Sequence, residues 1–305
     1  MPWGSPVAFR VMVDNAPSLI AAPAKVGVTP GALAVRRFMR NRAAVLGLLM
    51  VLGLALYAFG VPLFSEYPAT NLKVTSKLPF QVPGYPLGTD IAGRDMLVYL
   101  ALGMRTSIVI ATLVQLFVIV VSLVLGFIAG WFGGAADFAI SRLAEVWVAL
   151  PGLLFQILFI VVFGPTVLNL VLSIALLGWP ETTRIVRARV LQVRHLDYID
   201  ASRGLGAPTF MIAVKHVIPN LLNPFVIAIS LGVPSVILSE STLSFLGYGL
   251  SESQPSLGKL VGVSWQYIQA YWHMAVLPAA FLSLLMLGAS FFGDGLRDAL
   301  DPQSS

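Results

Sequence analysis

The chain has 305 residues, of which 57% are hydrophobic and only 11% charged, with a mean hydropathy of +0.86. These values lie outside the range of water-soluble domains and point to a polytopic membrane protein. The absence of cysteine excludes disulfides, thiol catalysis and thiolate metal sites, and the net charge of +5 comes from basic residues at the ends of apolar runs, which sets topology rather than binding nucleic acid.

Residues 1–30 are rich in Pro, Ala and Val without sustained periodicity and read as a cytoplasmic tail, with no removable signal. From Gly31 to Arg42, Leu33 and Phe38 alternate with Arg36, Arg37, Arg40 and Arg42, the pattern of a short interfacial helix on anionic headgroups. Residues 1–42 therefore form the predicted N-terminal cytoplasmic region. The charge-free run 43–64 is the first predicted span, entered from the cytoplasm.

Ser65 to Arg105 is polar and contains Pro68, Pro79, Pro83 and Pro86, so it is predicted as outer loop. The second span follows at 106–132, with Gly126 and Gly130 as a small-xxx-small pair suited to close helix packing. The uncharged window from Val146 to Pro180 is too long for one crossing and is broken at Phe163-Gly164-Pro165-Thr166. It is read as two spans, 140–163, kinked at Pro151, and 167–184. Arg184, Arg187, Arg189 and Arg194 then continue at near-helical spacing into the cytoplasm.

A fifth span is placed at 217–239, with Pro219, Pro224 and Pro234, and a sixth at 274–293; residues 294–305 form a cytoplasmic tail. Six spans put both termini inside. On that topology all but Lys73, Lys77, Arg94, Arg105 and Lys259 of the 19 Lys and Arg face the cytoplasm, as the positive-inside rule requires. The predicted fold is all-α, a six-span permease domain over 43–293 with a cytoplasmic helix between the fourth and fifth spans.

No phosphate-cradling Gly-rich loop, His-Glu-x-x-His helix or Gly-x-Ser-x-Gly elbow is present, so no catalytic residue and no metal site are expected. His195, His216 and His273 are scattered near span ends and read as interfacial packing residues. The predicted spans show no ionisable group at mid-bilayer, which argues against proton coupling and against an intramembrane enzyme. Inverted repeats, the mark of many secondary transporters, are not evident either. A transporter or channel working without an ATPase remains the competing class.

The cytoplasmic segment Asp200-Ala201-Ser202-x-x-x-Gly206, followed by Ile218-Pro219, resembles the Glu-Ala-Ala loop of ABC importer permeases. It departs from that pattern at Asp200, Ser202 and His216. Pro86-Leu87-Gly88-Thr89-Asp90-Ile91-Ala92-Gly93-Arg94-Asp95 is similar to a signature of the dipeptide and oligopeptide branch. Glu240-Ser241-Thr242-Leu243-Ser244-Phe245-Leu246-Gly247, the ending Gly293 to Pro302, and Phe38-Met39-Arg40-Asn41-Arg42 also match that branch. Together these stretches span nearly the whole chain and resemble the C-type subunit of the pair.

The resemblance implies a subunit of the plasma (inner) membrane, paired with a homologous permease, two cytoplasmic ATPases that hold ATP and Mg, and an extracytoplasmic binding protein that delivers peptide. This chain would itself bind no cofactor. Tyr198, Asp200, Ala201, Ser202, Arg203 and Gly206 would couple to an ATPase: small residues let a short helix enter a groove, and Gly206 supplies a turn. Gly88, Asp90, Gly93, Arg94 and Asp95 form the outer-loop signature, and the same residues are also ordinary turn chemistry. Gln115, Gln156, Asn223, Ser230, Ser235 and Ser239 are the candidate pathway lining. Glu240 reads as a solvated helix end, and Asp294 and Arg297 as a local pair.

Overall fold

The computed structural model describes residues 30–65, 76–81, 83–251 and 254–300, and the described residues contain helices and turns but no strand. Nearly all of the predicted tail, residues 1–29, and the last five residues lie outside this set. α1 (Pro30–Arg40) presents Phe38 edge-on to Phe292, with ring centroids 5.8 Å apart. α2 (Arg42–Phe64) begins at Asn41, whose Oδ1 accepts from the Ala43 and Ala44 amides at 3.1 and 3.2 Å. That cap satisfies two of the amides that a helix start leaves without partners.

α3 (Met96–Phe132) begins ten residues before the predicted second span, so the outer loop is shorter than the charge pattern implied. Asp95 caps it by accepting from the Leu97 amide at 2.9 Å. Arg105, taken as the end of the loop, lies within the helix, its guanidinium 5.6 Å from the Phe59 ring centroid. A cation can sit in an apolar helix when an aromatic face and the outer boundary receive it.

α4 (Gly134–Ala149) and α5 (Gly152–Phe163) correspond to the predicted third span but meet at 88°, so the proline kink is a break. Pro151 forces Leu150 out of the helical region, to φ −72° and ψ 135°. Asn169 closes the next hairpin by donating to the Phe163 and Gly164 carbonyls at 2.7 and 3.0 Å. α6 (Val167–Val193) then runs nine residues past the predicted end of the fourth span, carrying its arginines with it.

α7 (Asp197–Gly204) and α8 (Thr209–Ile212) are short, and a π-turn at Ala213–Val217 leads into α9 (Ile218–Phe245). α10 (Leu257–Ser264), absent from the sequence reading, lies between α9 and α11 (His273–Leu300) in the chain and packs on both. Four segments, Arg42–Phe64, Met96–Phe132, Asn223–Phe245 and His273–Leu300, are long and apolar enough to cross a membrane, and the bent α4–α5 pair makes a fifth if it counts as one span. α6 would be the sixth of the expected set. It is 27 residues long, but Glu181 and the arginines polarise its second half.

Two apolar clusters hold these helices. The larger joins Leu100, Met104 and Ile110 of α3 to Leu170, Ile237, Leu257 and Met274. The smaller gathers Val186, Val190 and Val193 of α6 with Ile199, Ile212, Val217, Leu221 and Phe225. Leu56, Leu63, Leu154 and Val162 are instead more than half exposed, an apolar outer face suited to lipid chains.

Candidate functional site

Three groups of residues carry the predicted function, beginning with α7. Its single fully buried side chain is Ile199, which enters the cluster formed by α6 and the start of α9. Burial of one isoleucine anchors the helix and leaves the opposite face free. Asp200 and Ala201 are exposed there, Arg203 is exposed at the edge of the Ile199 face, and Ser202 turns its hydroxyl to the Tyr198 carbonyl at 2.8 Å. Tyr198 packs beside His216, with ring centroids 5.7 Å apart, and its hydroxyl accepts from Asn220 Nδ2 at 3.3 Å.

The end of α7 explains Gly206. The Gly206 amide reaches the Arg203 carbonyl at 2.9 Å and the Ala207 amide the Ser202 carbonyl at 3.1 Å, the paired bonds of a Schellman cap. Gly206 has φ +79°, and a Cβ there would meet nothing within 4 Å. The requirement is therefore conformational, not steric. Beyond the cap, Leu205 is 89% and Phe210 79% exposed, with Met211 and Val214 beside them in the exposed set. The Asp200–Arg203 pair, at 3.0 Å, is open to solvent and contributes little stability, so both charges remain available to a partner. Arg203 also lies 4.5 Å from the Trp131 ring centroid, tying α7 to the end of α3.

The second group lines a cleft of about 430 Å³ between α3, α5, α6 and α9. Gln115, Gln156, Ser235 and Ser239 are there, as the sequence predicted. Asn223 and Ser230 are not. Ser230 is buried against α11, where its backbone meets Gly293, and Asn223 is exposed near the start of α9. Glu181 and Thr182 also line the cleft and were not selected from the sequence. Glu181 falls inside the predicted fourth span, 167–184, and was not weighed among the polar residues of the spans. The available signal was an acid directly after the apolar run Leu176-Leu177-Gly178-Trp179-Pro180 in a helix expected to continue.

The outer-loop signature forms a closed network. Asp90 is 4% exposed and accepts from the Ala92 and Arg94 amides at 2.9 and 2.8 Å and from Arg94 Nε at 2.6 Å. The Arg94 guanidinium then stacks 4.2 Å from the Tyr99 ring centroid. Gly88 and Gly93, at φ +76° and +75°, make the reversals, and Asp95 caps α3. Burial raises the Asp95 carboxyl above its ordinary range, against the lowering by the Leu97 amide. His273 Nε2 lies 3.1 Å from the Thr89 carbonyl oxygen and fastens the loop to α11. This is the turn-chemistry reading of the motif.

Glu240 corrects its expected place. It is fully buried, not solvated, and accepts from Ser107 at 3.0 Å, Ser244 at 2.7 Å and Ser241 at 3.4 Å. The expected pair of Asp294 and Arg297 is not among the ion pairs of the described residues; the neighbouring Asp298 accepts from Asn41 Nδ2 at 3.3 Å. Between α4 and α6, Arg187 forks onto Asp137, bonding through Nε to Oδ1 and through Nη2 to Oδ2 at 2.6 Å. No cluster of three or more potential metal-ligating residues occurs among the described residues.

Comparison with known proteins gives a consistent set of likenesses. The family model described as "Binding-protein-dependent transport system inner membrane component" matches residues 122–305, and "N-terminal TM domain of oligopeptide transport permease C" matches residues 29–81. The chain is 37% identical over 270 residues to the Oligopeptide transport system permease protein OppC of Escherichia coli, covering 88% of this chain and 89% of that one. To the Bacillus subtilis OppC it is 35% identical, with 88% of each chain covered. To the Dipeptide transport system permease protein DppC of Alkalihalophilus pseudofirmus it is 31% identical, covering 90% and 91%. Among solved structures, an inward-facing MetNI methionine ABC transporter matches with a TM-score of 0.54 at 19% identity, covering 68% of this chain and 98% of that chain, a likeness of fold alone.

Proposed function

Since the chain belongs to the family of binding-protein-dependent transport system inner membrane components, we propose that it is the C-type permease subunit of an ATP-driven importer of dipeptides or oligopeptides. It is a membrane protein of the ABC transporter class and acts with a second permease and with ATPases. ATP and Mg belong to those ATPases, and this chain binds no cofactor. An extracytoplasmic binding protein delivers the peptide, and both termini of the chain face the cytoplasm.

The observation that carries this reading is α7, a short helix held by the buried Ile199 with Asp200 and Ala201 on its open side and an exposed Arg203 at its edge. Small and charged residues beside exposed Leu205 and Phe210 suit entry into a groove on a partner. The same apolar cluster that anchors α7 contains residues of α6 and α9, and both helices line the cleft. Closure of the ATPases on ATP would therefore move α7, α6 and α9 together and turn the cleft from inward to outward opening.

Asp200→Lys and Gly206→Trp test this coupling in the intact complex. Each is expected to release the ATPases or to leave ATP hydrolysis without transport, while the amount of chain in the membrane stays unchanged. Undiminished ATP-driven transport in both variants contradicts the assignment of α7. Transport that continues after the ATPases are removed favours a secondary transporter or channel.

A further inference from the structure

We propose that Glu181 is the cation-recognition point of the cleft and binds a primary ammonium group of the cargo as it passes. The inference rests on the peptide reading above and assigns to the cleft a chemistry that the reading does not contain. Glu181 lines the cleft in company with Gln115, Gln156, Ser235 and Ser239, and no Lys, Arg or His is among the described residues that do so. Glu181 is exposed at this open, mainly apolar cleft, and no ion pair among the described residues neutralises it.

The hydrogen bonds around the cleft leave acceptors open. Gln115 donates through Nε2 to the Ile229 carbonyl at 3.4 Å, which leaves its Oε1 as an acceptor. A Cβ on Gly232 would collide with that same amide nitrogen, so the glycine makes the room in which the Gln115 side chain lies. Ser239 donates its proton to the Ser235 carbonyl at 2.9 Å, and its oxygen then has only lone pairs to offer. Glu181, when ionised, accepts only. Gln156, Thr182 and Ser235 bring donors to the same lining, so it is the single negative charge of Glu181, beside these acceptors, that fits a cationic ligand tip with several donors. A primary ammonium has three N–H donors on a compact positive charge. The cleft volume, about 430 Å³, is also within the range of small-ligand sites. Peptides carry this group at the N-terminus and on lysine side chains.

The test is photo-crosslinking to the purified, ATP-free complex of permeases and ATPases, without binding protein, so that only the cleft selects. Three tripeptides with a central diazirine residue are compared: one with a free N-terminus, one N-acetylated, and one N-acetylated with a C-terminal lysine. Label is expected on fragments containing α6 and α9, with at least one ammonium-bearing peptide exceeding the neutral acetylated one by about tenfold, the factor of a charge-assisted hydrogen bond. Which of the two ammonium peptides labels identifies the source of the group. Glu181→Gln is expected to remove this excess and Glu181→Asp to keep much of it. Equal labelling by all three peptides, or an unchanged pattern in Glu181→Gln, overturns the inference and leaves the peptide reading in place. No labelling by any peptide, with the complex intact, overturns both.

Discussion

Glu240 brings two carboxylate oxygens into contact with the hydroxyls of Ser107, Ser241 and Ser244, and the Leu257 amide donates to Ser107 Oγ at 3.4 Å. One side chain thereby links α3, α9 and the start of α10. Leaving buried hydroxyls without their acceptor costs about 1–3 kcal/mol, so Glu240→Ala is expected to lower the unfolding temperature of the detergent-solubilised protein. Glu240→Gln, which keeps one acceptor oxygen, should fall between it and the parent; equal unfolding temperatures for all three would show that the network contributes nothing. A second residue-scale prediction concerns Asp137. Both of its carboxylate oxygens accept the fork of Arg187, and an asparagine offers only one acceptor oxygen there. Asp137→Asn is expected to lower the unfolding temperature of the detergent-solubilised protein; an unchanged unfolding temperature would contradict this.

At the scale of elements, α3 and α6 form the most extensive helix pair. Their approach depends on Gly126 and Gly130, where a Cβ would lie 2.6 Å from Val186 Cβ and 2.7 Å from Val190 Cβ. The small-residue pair seen in the sequence is therefore a packing device, and its partners are valines one helical turn apart. Overpacking costs typically 1–3 kcal/mol, and a leucine here must displace a whole helix. Gly126→Leu is predicted to reduce the amount of folded protein in membranes severely, whereas Gly53→Leu, at a glycine with nothing within 4 Å, should not. Equal accumulation of the two variants would contradict the account.

These same elements show what could be read from the chain. Apolar runs located every long helix because burial in lipid requires them. Charge placed one boundary less well: Arg105 lies inside α3, since a long side chain can carry its charge away from the helix axis, whereas the continuation of α6 through Arg184, Arg187 and Arg189 was legible in their spacing. Pro151 announced a disturbance, but the 88° turn depends on how α5 packs, which no local residue states. Of the candidate pathway residues, Gln115, Gln156, Ser235 and Ser239, which line the cleft, were legible as polar residues in apolar runs. Ser230 was misplaced because polarity does not reveal which face of a helix meets α11, and Glu181, inside the predicted fourth span, was passed over because only uncharged polar residues were considered as lining.

For the whole molecule, the two apolar clusters divide the work. One holds the bundle together, while the other joins the short helix α7 to the two helices, α6 and α9, that reach the cleft. The proposed coupling requires that an ATPase outside the chain grips α7. The most direct test is to purify the tagged chain from its native membrane in mild detergent and identify by mass spectrometry what accompanies it. Recovery of a second permease and two ATPases with phosphate-binding loops is the predicted result. Recovery of this chain alone, even after cross-linking, would contradict it.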